Sequence, residues 1–434
     1  MQYSPKFNVF ASSQIGVTIQ NALKHPFYKH HWAQVTAEEF NTPGLEILNY
    51  LPPVSRHDLE LMEPFVREGD QIIAISHSSG TTGKLVYRYR TREEVEAITT
   101  LFEDLDVDAH RLSLRICLRL LNPGHGSPIY LKGGKLIVLN GAVFHNRFIK
   151  QTIEVLQKQF YAPTLAGRVE AIVGPISDVR LLTHFLIDAG FENGRFPMKY
   201  LGIYGGYLSR NQRSLLANFW KVEPCLSFSL AEMFGGGQVC PYTDDIDFDP
   251  HLWPRCLDFE TLEEVESGPG LLALTELYPF GQCQPLINYL TGDIVERVSN
   301  GLQNPSIRYL GRDISSIRLK LEGKETLLMG GADLYEALDI PGVKKNIKYS
   351  QIQGLIDPSV VGEPLGGGKL LESVQSPQIQ VHFSPTSNEK DVIASMIKNT
   401  LLQRSSVLKE CVENKLVDLT IIPDPAWQIP IVMK

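Results

Sequence analysis

Between residues 72 and 206, short apolar runs end one after another in glycine turns. Ile72-Ile73-Ala74-Ile75 leads towards Gly80 and Gly83, and Leu112 to Leu121 towards Gly124 and Gly126. Val169 to Val173 leads to Gly174, and Lys199 to Ile203 to Gly205-Gly206. Apolar runs this short, bounded by glycine, read as buried strands. Helical patterns lie between them, from Thr91 to Leu105, Arg147 to Phe160 and Ser209 to Trp220. Strand and helix alternate in this way over about the first three hundred residues, which predicts an α/β fold with largely parallel sheets. Ligands of such sheets collect beyond the carboxyl ends of the strands. The glycine turns at 80–83, 124–126, 202–206 and 235–237 are therefore expected to converge on one site.

The composition changes near Gly311-Arg312. Beyond it the pattern predicts a hairpin across Glu322-Gly323-Lys324, a short helix at Leu334–Leu338, and strands at Tyr349–Ile352 and Gln378–Phe383. A long helix from Glu389 to about Leu408 and a strand at Leu416–Ile422 complete it. That order suggests a small α+β lid, so the chain divides into a large domain, 1–312, and a lid, 313–434. Residues 1 to about 70 read as helices joined by proline-containing loops, with Gln14–Leu23 amphipathic.

The net charge of −8 argues against a nucleic-acid surface, and the one dense basic stretch, Arg88-Tyr89-Arg90-Thr91-Arg92, reads as a solvated face. The six cysteines form no CxxC pair, which fits reduced thiols. Cys240, His251, Cys256 and Cys283 have zinc-ligand chemistry, but their spacing is irregular and free cysteines read rather as small buried hydrophobes. No run approaches the ~18 apolar residues of a membrane helix, and no signal pattern opens the chain. The expectation is a cytoplasmic protein with no membrane or nucleic-acid partner; a homodimer is left open.

Three stretches carry chemistry. Ser78-Ser79-Gly80-Thr81-Thr82-Gly83-Lys84 supplies four hydroxyls, two glycines and an ammonium with no acid. Such a loop lets backbone N–H groups approach phosphate oxygens. It is not the nucleotide P-loop: only two residues separate its glycines, and Leu85 follows the lysine. The segment Thr91-Arg92-Glu93-Glu94 fits a capping box opening the next helix. Phe228-Ser229-Leu230-Ala231-Glu232, followed by Gly235 to Gly237 and preceded by Gly205-Gly206, places a carboxylate beside flexible backbone. Tyr289-Leu290-Thr291-Gly292-Asp293 reads as a tight turn bearing an acid.

Taken together, these strings resemble the adenylate-forming superfamily of acyl- and aryl-CoA synthetases, and most nearly the phenylacetate–CoA ligase branch. His25-Pro26-Phe27-Tyr28 and Leu51-Pro52-Pro53-Val54-Ser55-Arg56-His57-Asp58-Leu59 resemble that branch's N-terminal segment. The resemblance implies that Ser78 to Lys84 bind the ATP phosphates, with Leu85 standing where that branch usually has proline. It implies that Phe228 and Ser229 flank the adenine, that Glu232 serves magnesium, and that Asp293 and Arg312 hold the ribose. Phe228 and Ser229 replace the family's Tyr and Gly. Ile314-Ser315 replace its usual pair of hinge acids, with Asp313 displaced by one position. Lys434, shortly after Pro430, is the candidate for the catalytic lysine of the lid. Asn122, His125 and Tyr204 are candidate pocket residues for an acid, aromatic by default. The implied reaction joins a small-molecule carboxylic acid to ATP, releases pyrophosphate, and transfers the acyl group to CoA. Transfer to an amine or a carrier protein, and a degenerate nucleotide-binding homologue, stand as alternatives.

Overall fold

The structure, a computed structural model, describes residues 6–62, 71–77, 86–105, 116–120, 137–162, 165–233, 235–298, 306–343, 377–423 and 431–433. Its frame is one eleven-stranded sheet. Five neighbouring strands run parallel: Ile137–Gly141, Ile116–Leu120, Ala171–Pro175, Tyr200–Tyr204 and Pro224–Ser229. Helices Asn146–Gln157, Ile176–Asp188 and Arg210–Trp220 alternate with them in the chain. Leu118, Leu120, Ile172, Leu201 and Ile203 meet Val179, Leu182, Leu186, Leu216 and Trp220 in one apolar core. Alternation along each strand turns the intervening residues to the other face.

At Ser229 the sheet changes character. Gly236–Val239, Asp245–Phe248, Ser306–Arg312, Tyr289–Val298, Gly268–Glu276 and Leu252–Leu257 continue it antiparallel throughout. The expectation of largely parallel sheets therefore holds only for those five neighbouring strands. Links such as Cys240–Asp244 are too short for a parallel crossover, which takes a dozen or more residues. The N-terminal helices cover this half: Ile15, Ile19, Tyr28, Trp32 and Leu59 share a core with Leu272, Leu274, Ile287, Tyr289 and Ile307.

A third core begins at Ile317 and runs to Leu419, drawing no member from the preceding residues. Strands Ile317–Leu321 and Lys324–Met329 form the expected hairpin. Its turn places Glu322 (φ 50°) and Gly323 (φ 86°) in the left-handed region, as a two-residue hairpin turn requires. Helix Gly331–Leu338 and strand Gln378–Phe383 also follow the sequence reading. The long helix is two, Lys390–Arg404 and Ser406–Glu413, because the Ser405 side chain caps the second by accepting from the Leu408 N–H. The strand expected at Tyr349–Ile352 lies outside the described residues. Among the described residues no helix is long and apolar enough to cross a membrane.

Candidate functional site

The strand at Ile72–His77 does not lead directly into a helix. It pairs antiparallel with Tyr87–Thr91, so residues 78–85 join the two arms of a hairpin and themselves lie outside the described residues. The capping box then opens helix Arg92–Leu105: the Thr91 N–H donates to Glu94 at 2.6 Å, and the Glu94 N–H to Thr91 Oγ1 at 3.3 Å. Nor is the first strand buried on both faces. Ile73 and Ile75 are 41% and 54% exposed, while Ala74, Ser76, Arg88 and Arg90 turn inwards.

That inward face overturns the reading of the basic stretch as solvated. Arg88 and Arg90 are 1% and 2% exposed. Arg88 donates to Glu276 at 3.3 Å and to the Gln284 carbonyl at 2.7 Å. Arg90 donates to Glu276 at 3.0 Å, to the Phe280 carbonyl at 2.9 Å and to the Glu232 carbonyl at 3.3 Å. Burial, with Arg90 beside it, lowers Arg88 to about 10. Burial opposes Arg90's charge too, but Glu276 and Glu94 outweigh it and keep that guanidinium firmly protonated. Ser76 Oγ donates to the Ala231 carbonyl at 3.4 Å. Both arms of the hairpin are thus tied to the segment carrying Glu232.

Asp293 is placed by register. On the antiparallel strands Tyr289–Val298 and Ser306–Arg312 it stands directly opposite Arg312. The Arg312 guanidinium lies 3.1 Å from Asp293 Oδ1, and the Tyr309 hydroxyl donates to the same oxygen at 3.4 Å. Thr291-Gly292 is not a turn between elements but an irregularity within the strand, where pairing shifts between Leu271 and Ala273. Gly292 takes φ +76°, a conformation that costs glycine little. Burial raises the Asp293 pKa against the pull of Arg312, and Glu232 adds to the rise. Asp293 in turn pushes Arg312 upward. Oδ2 of Asp293 is buried with no hydrogen-bond partner among the described residues.

Glu232 follows strand Pro224–Ser229 and is buried. Arg56 Nη1 lies 3.2 Å from its Oε1. The ring of Phe228 packs against Phe248 at 5.8 Å and Tyr309 at 6.0 Å, and Tyr309 stacks on Tyr207 at 6.4 Å. The glycine run after Glu232 is required sterically: a Cβ on Gly236 would lie 2.1 Å from the Phe228 carbonyl oxygen, and one on Gly237 2.5 Å from that of Asp247.

No protein-family model matches this sequence, and no curated protein matches it. Solved structures do. A crystal structure of 2-hydroxyisobutyryl-CoA ligase in the postadenylation state, in complex with 2-HIB-AMP, superposes with a TM-score of 0.60 at 13% identity, covering 98% of this chain and 86% of the other. This chain has the adenylate-forming fold. An open conformation of the same ligase, with 2-HIB-AMP and CoA, gives 0.59 at 13% identity over 96% and 88% of the two chains. An ATP-bound RpMatB–BxBclM chimera gives 0.51 at 11% identity over 83% and 66%.

Within the adenylate-forming fold, the structure gathers Glu232, Asp293 and Arg312 into one charged neighbourhood. Phe228 stands beside it. Tyr204, Gly205 (φ +76°) and Gly206 lie at the carboxyl end of the strand paired with Pro224–Ser229, where Ser229 ends. Ser78, Ser79, Gly80, Thr81, Thr82, Gly83, Lys84, Asn122, His125 and Lys434 lie outside the described residues. The zinc candidates do not assemble: among the described residues no three metal-ligating side chains gather. Cys256 is a core residue, and the His251 ring packs against Phe280 at 5.1 Å.

Four contributors escaped the sequence reading. Arg56 reaches Glu232 across 176 residues, which no local pattern reports. Tyr309 reads as an ordinary strand aromatic. The arginines at 88 and 90 carried a period-2 signal, which on a strand places both on one face.

Proposed function

We propose that this protein is an ATP-dependent carboxylic acid ligase that forms an acyl-adenylate, releases pyrophosphate and passes the acyl group to CoA. The observation that carries the proposal is the buried Asp293. One of its oxygens is held by Arg312 and Tyr309, and the other has no partner among the described residues. A carboxylate so oriented suits a pair of adjacent hydroxyls such as those of a ribose. The Phe228–Tyr309 contact sets an aromatic wall beside it for a purine.

In this reading the hairpin loop Ser78–Lys84 takes the β- and γ-phosphates. Its two strands are anchored to Glu276 and to the Glu232 segment, which sets the distance from phosphate to metal ligand. The Glu232 carboxylate fits magnesium, a cation that takes few protein oxygens and keeps waters and phosphates as its other ligands. Magnesium, when bound, neutralises phosphate charge. Asp293 and Arg312 hold the ribose and Phe228 with Ser229 the adenine. Gly205 and Gly206 let the backbone pass close to the nucleotide, and Tyr204, Asn122 and His125 line the acid pocket. The protein's contribution is orientation and charge complementarity around the α-phosphorus.

The boundary after Arg312 makes residues 313–434 a lid with its own core, and Lys434 is its candidate for stabilising charge during adenylation. The fold's likeness to structures holding an acyl-AMP and CoA supports this reading, as does the order of the sequence motifs. The test is ATP–pyrophosphate exchange across aryl, hydroxy and short acyl acids, followed by addition of CoA and then of amines. Exchange with no acid in the panel, together with no measurable ATP binding, would overturn the proposal.

A further inference from the structure

We infer that Arg56 is an exchangeable counter-ion. It neutralises Glu232 when no metal is present, then transfers its guanidinium to the triphosphate when magnesium and nucleotide arrive. The inference rests on the proposed role of Glu232 as the magnesium ligand, and goes beyond it by assigning a second cationic group to the phosphate site.

Glu232 is a carboxylate whose side chain is only 9% exposed. A charge taken this far out of water is costly unless it is paired. Arg56 supplies the pairing at 3.2 Å, and at 28% side-chain exposure it remains in reach of solvent and ligand. Its backbone is fixed independently of the ion pair. Val54 joins the sheet through its N–H to the Asn288 carbonyl at 3.1 Å and its carbonyl to the Leu290 N–H at 2.8 Å. Ser55 is locked to Asp58 by its N–H and its hydroxyl, each at 2.7 Å. The helix Arg56–Met62 therefore starts at a set point beside Tyr289, the first residue of the strand that carries Asp293. Only the flexible side chain of Arg56 needs to move.

The charge balance dictates the direction of that movement. A magnesium ion on Glu232 brings two positive charges to within a few ångströms of the guanidinium, which repels it from the carboxylate oxygen. The arriving triphosphate adds several negative charges in the same place. Arginine binds phosphate oxygens in a planar, bidentate manner, so the displaced side chain has a better partner than water. A guanidinium that leaves Glu232 in this way holds the triphosphate oxygens.

The exchange makes two effects of opposite sign. In Arg56→Gln, manganese binding without nucleotide, followed by electron paramagnetic resonance, should tighten by about tenfold because the competing cation is gone. ATP binding in magnesium, followed by calorimetry, should weaken by about tenfold because a phosphate contact is gone. Arg56→Lys should keep manganese binding near that of the unmodified protein and recover part of the ATP affinity. A purely structural ion pair predicts that Arg56→Gln weakens both or changes neither, and either result overturns the inference. Labelling of the unmodified protein with phenylglyoxal gives a readout that needs no variant to fold. Labelling at Arg56 should rise with manganese alone and fall with magnesium and ATP; no change in either direction counts against the exchange. If the unmodified protein binds neither manganese nor ATP, the proposed function fails first, which separates the two failures.

Discussion

Two sets of arginine–glutamate contacts flank the candidate site, and they are built for different ends. Arg88 and Arg90 meet Glu276 with every partner 2% exposed or less, and the backbone carbonyls of Gln284, Phe280 and Glu232 accept further N–H groups. Arg56 lies 3.2 Å from Glu232, with a side chain more than a quarter exposed. The first set is a permanent brace under the hairpin of Ile72–His77 and Tyr87–Thr91, since breaking it strands two guanidinium groups away from water. The second can open at modest cost because water and ligands reach it. The same residue pairing thus gives rigidity or exchange according to its depth.

The comparison breaks most sharply at Glu276. Glu276→Gln leaves two buried cations without their shared anion and should destabilise the fold by about 3–5 kcal/mol in chemical denaturation. Glu232→Gln should cost about 1 kcal/mol or less by the same measurement, while abolishing metal-dependent ATP binding. Equal losses for the two variants would erase the distinction.

Asp178 sharpens the point from the other side. It is buried like Glu276, but its one hydrogen bond within the described residues comes from the Ser177 hydroxyl, and burial pushes it up to about 6. The folded chain therefore holds this proton more tightly than the unfolded chain, where the value is near 3.8. Its contribution to stability is present at low pH and is lost as pH rises from about 4 to about 6. Asp178→Asn removes the loss, so the change in unfolding free energy on substitution, from chemical denaturation, should be more favourable at pH 7 than at pH 4, by up to about 3 kcal/mol. A pH-independent difference would remove Asp178 from the comparison.

Asp293 lies between the two cases, with one oxygen braced and one unpartnered. Asp293→Asn should raise the KM for ATP by about tenfold to a hundredfold, the loss of a charge-assisted contact, with little change in Tm. The smallest effect is expected at Tyr207, whose hydroxyl donates to Glu336 on helix Gly331–Leu338 at 2.9 Å. Neighbouring contacts, from the Arg210 N–H to Glu336 at 3.0 Å and from Ser209 and Asn211 to Asp339, hold the same helix. Tyr207→Phe should cost about 1 kcal/mol or less, read as faster proteolysis within 313–434 with an unchanged core Tm.

What the sequence disclosed was local. The capping box at Thr91–Glu94, the Glu322-Gly323 hairpin and the strand–glycine junction at Tyr204-Gly205 each depend on residues within a few positions of one another. The antiparallel half was misread because apolar strands look alike whichever way the neighbour runs; the short links after Ser229 were the available clue. The pairing of Asp293 with Arg312 became visible only with the register. Arg56 and Glu276 were silent because their partners are 176 or more residues distant in the chain.

The main chain just before Arg312 bears on how the proposed lid would swing. Gly311 takes φ +123°, and a Cβ there would sit 2.7 Å from the Gly331 backbone nitrogen. Two stretches of chain touch there, main chain against main chain, one residue before Arg312. In the proposed function, a fulcrum here would make a lever with a very short inner arm. Rotation about it would sweep the far helices through a wide arc while the guanidinium of Arg312 barely shifted, so reactant grip and lid travel would be mechanically decoupled.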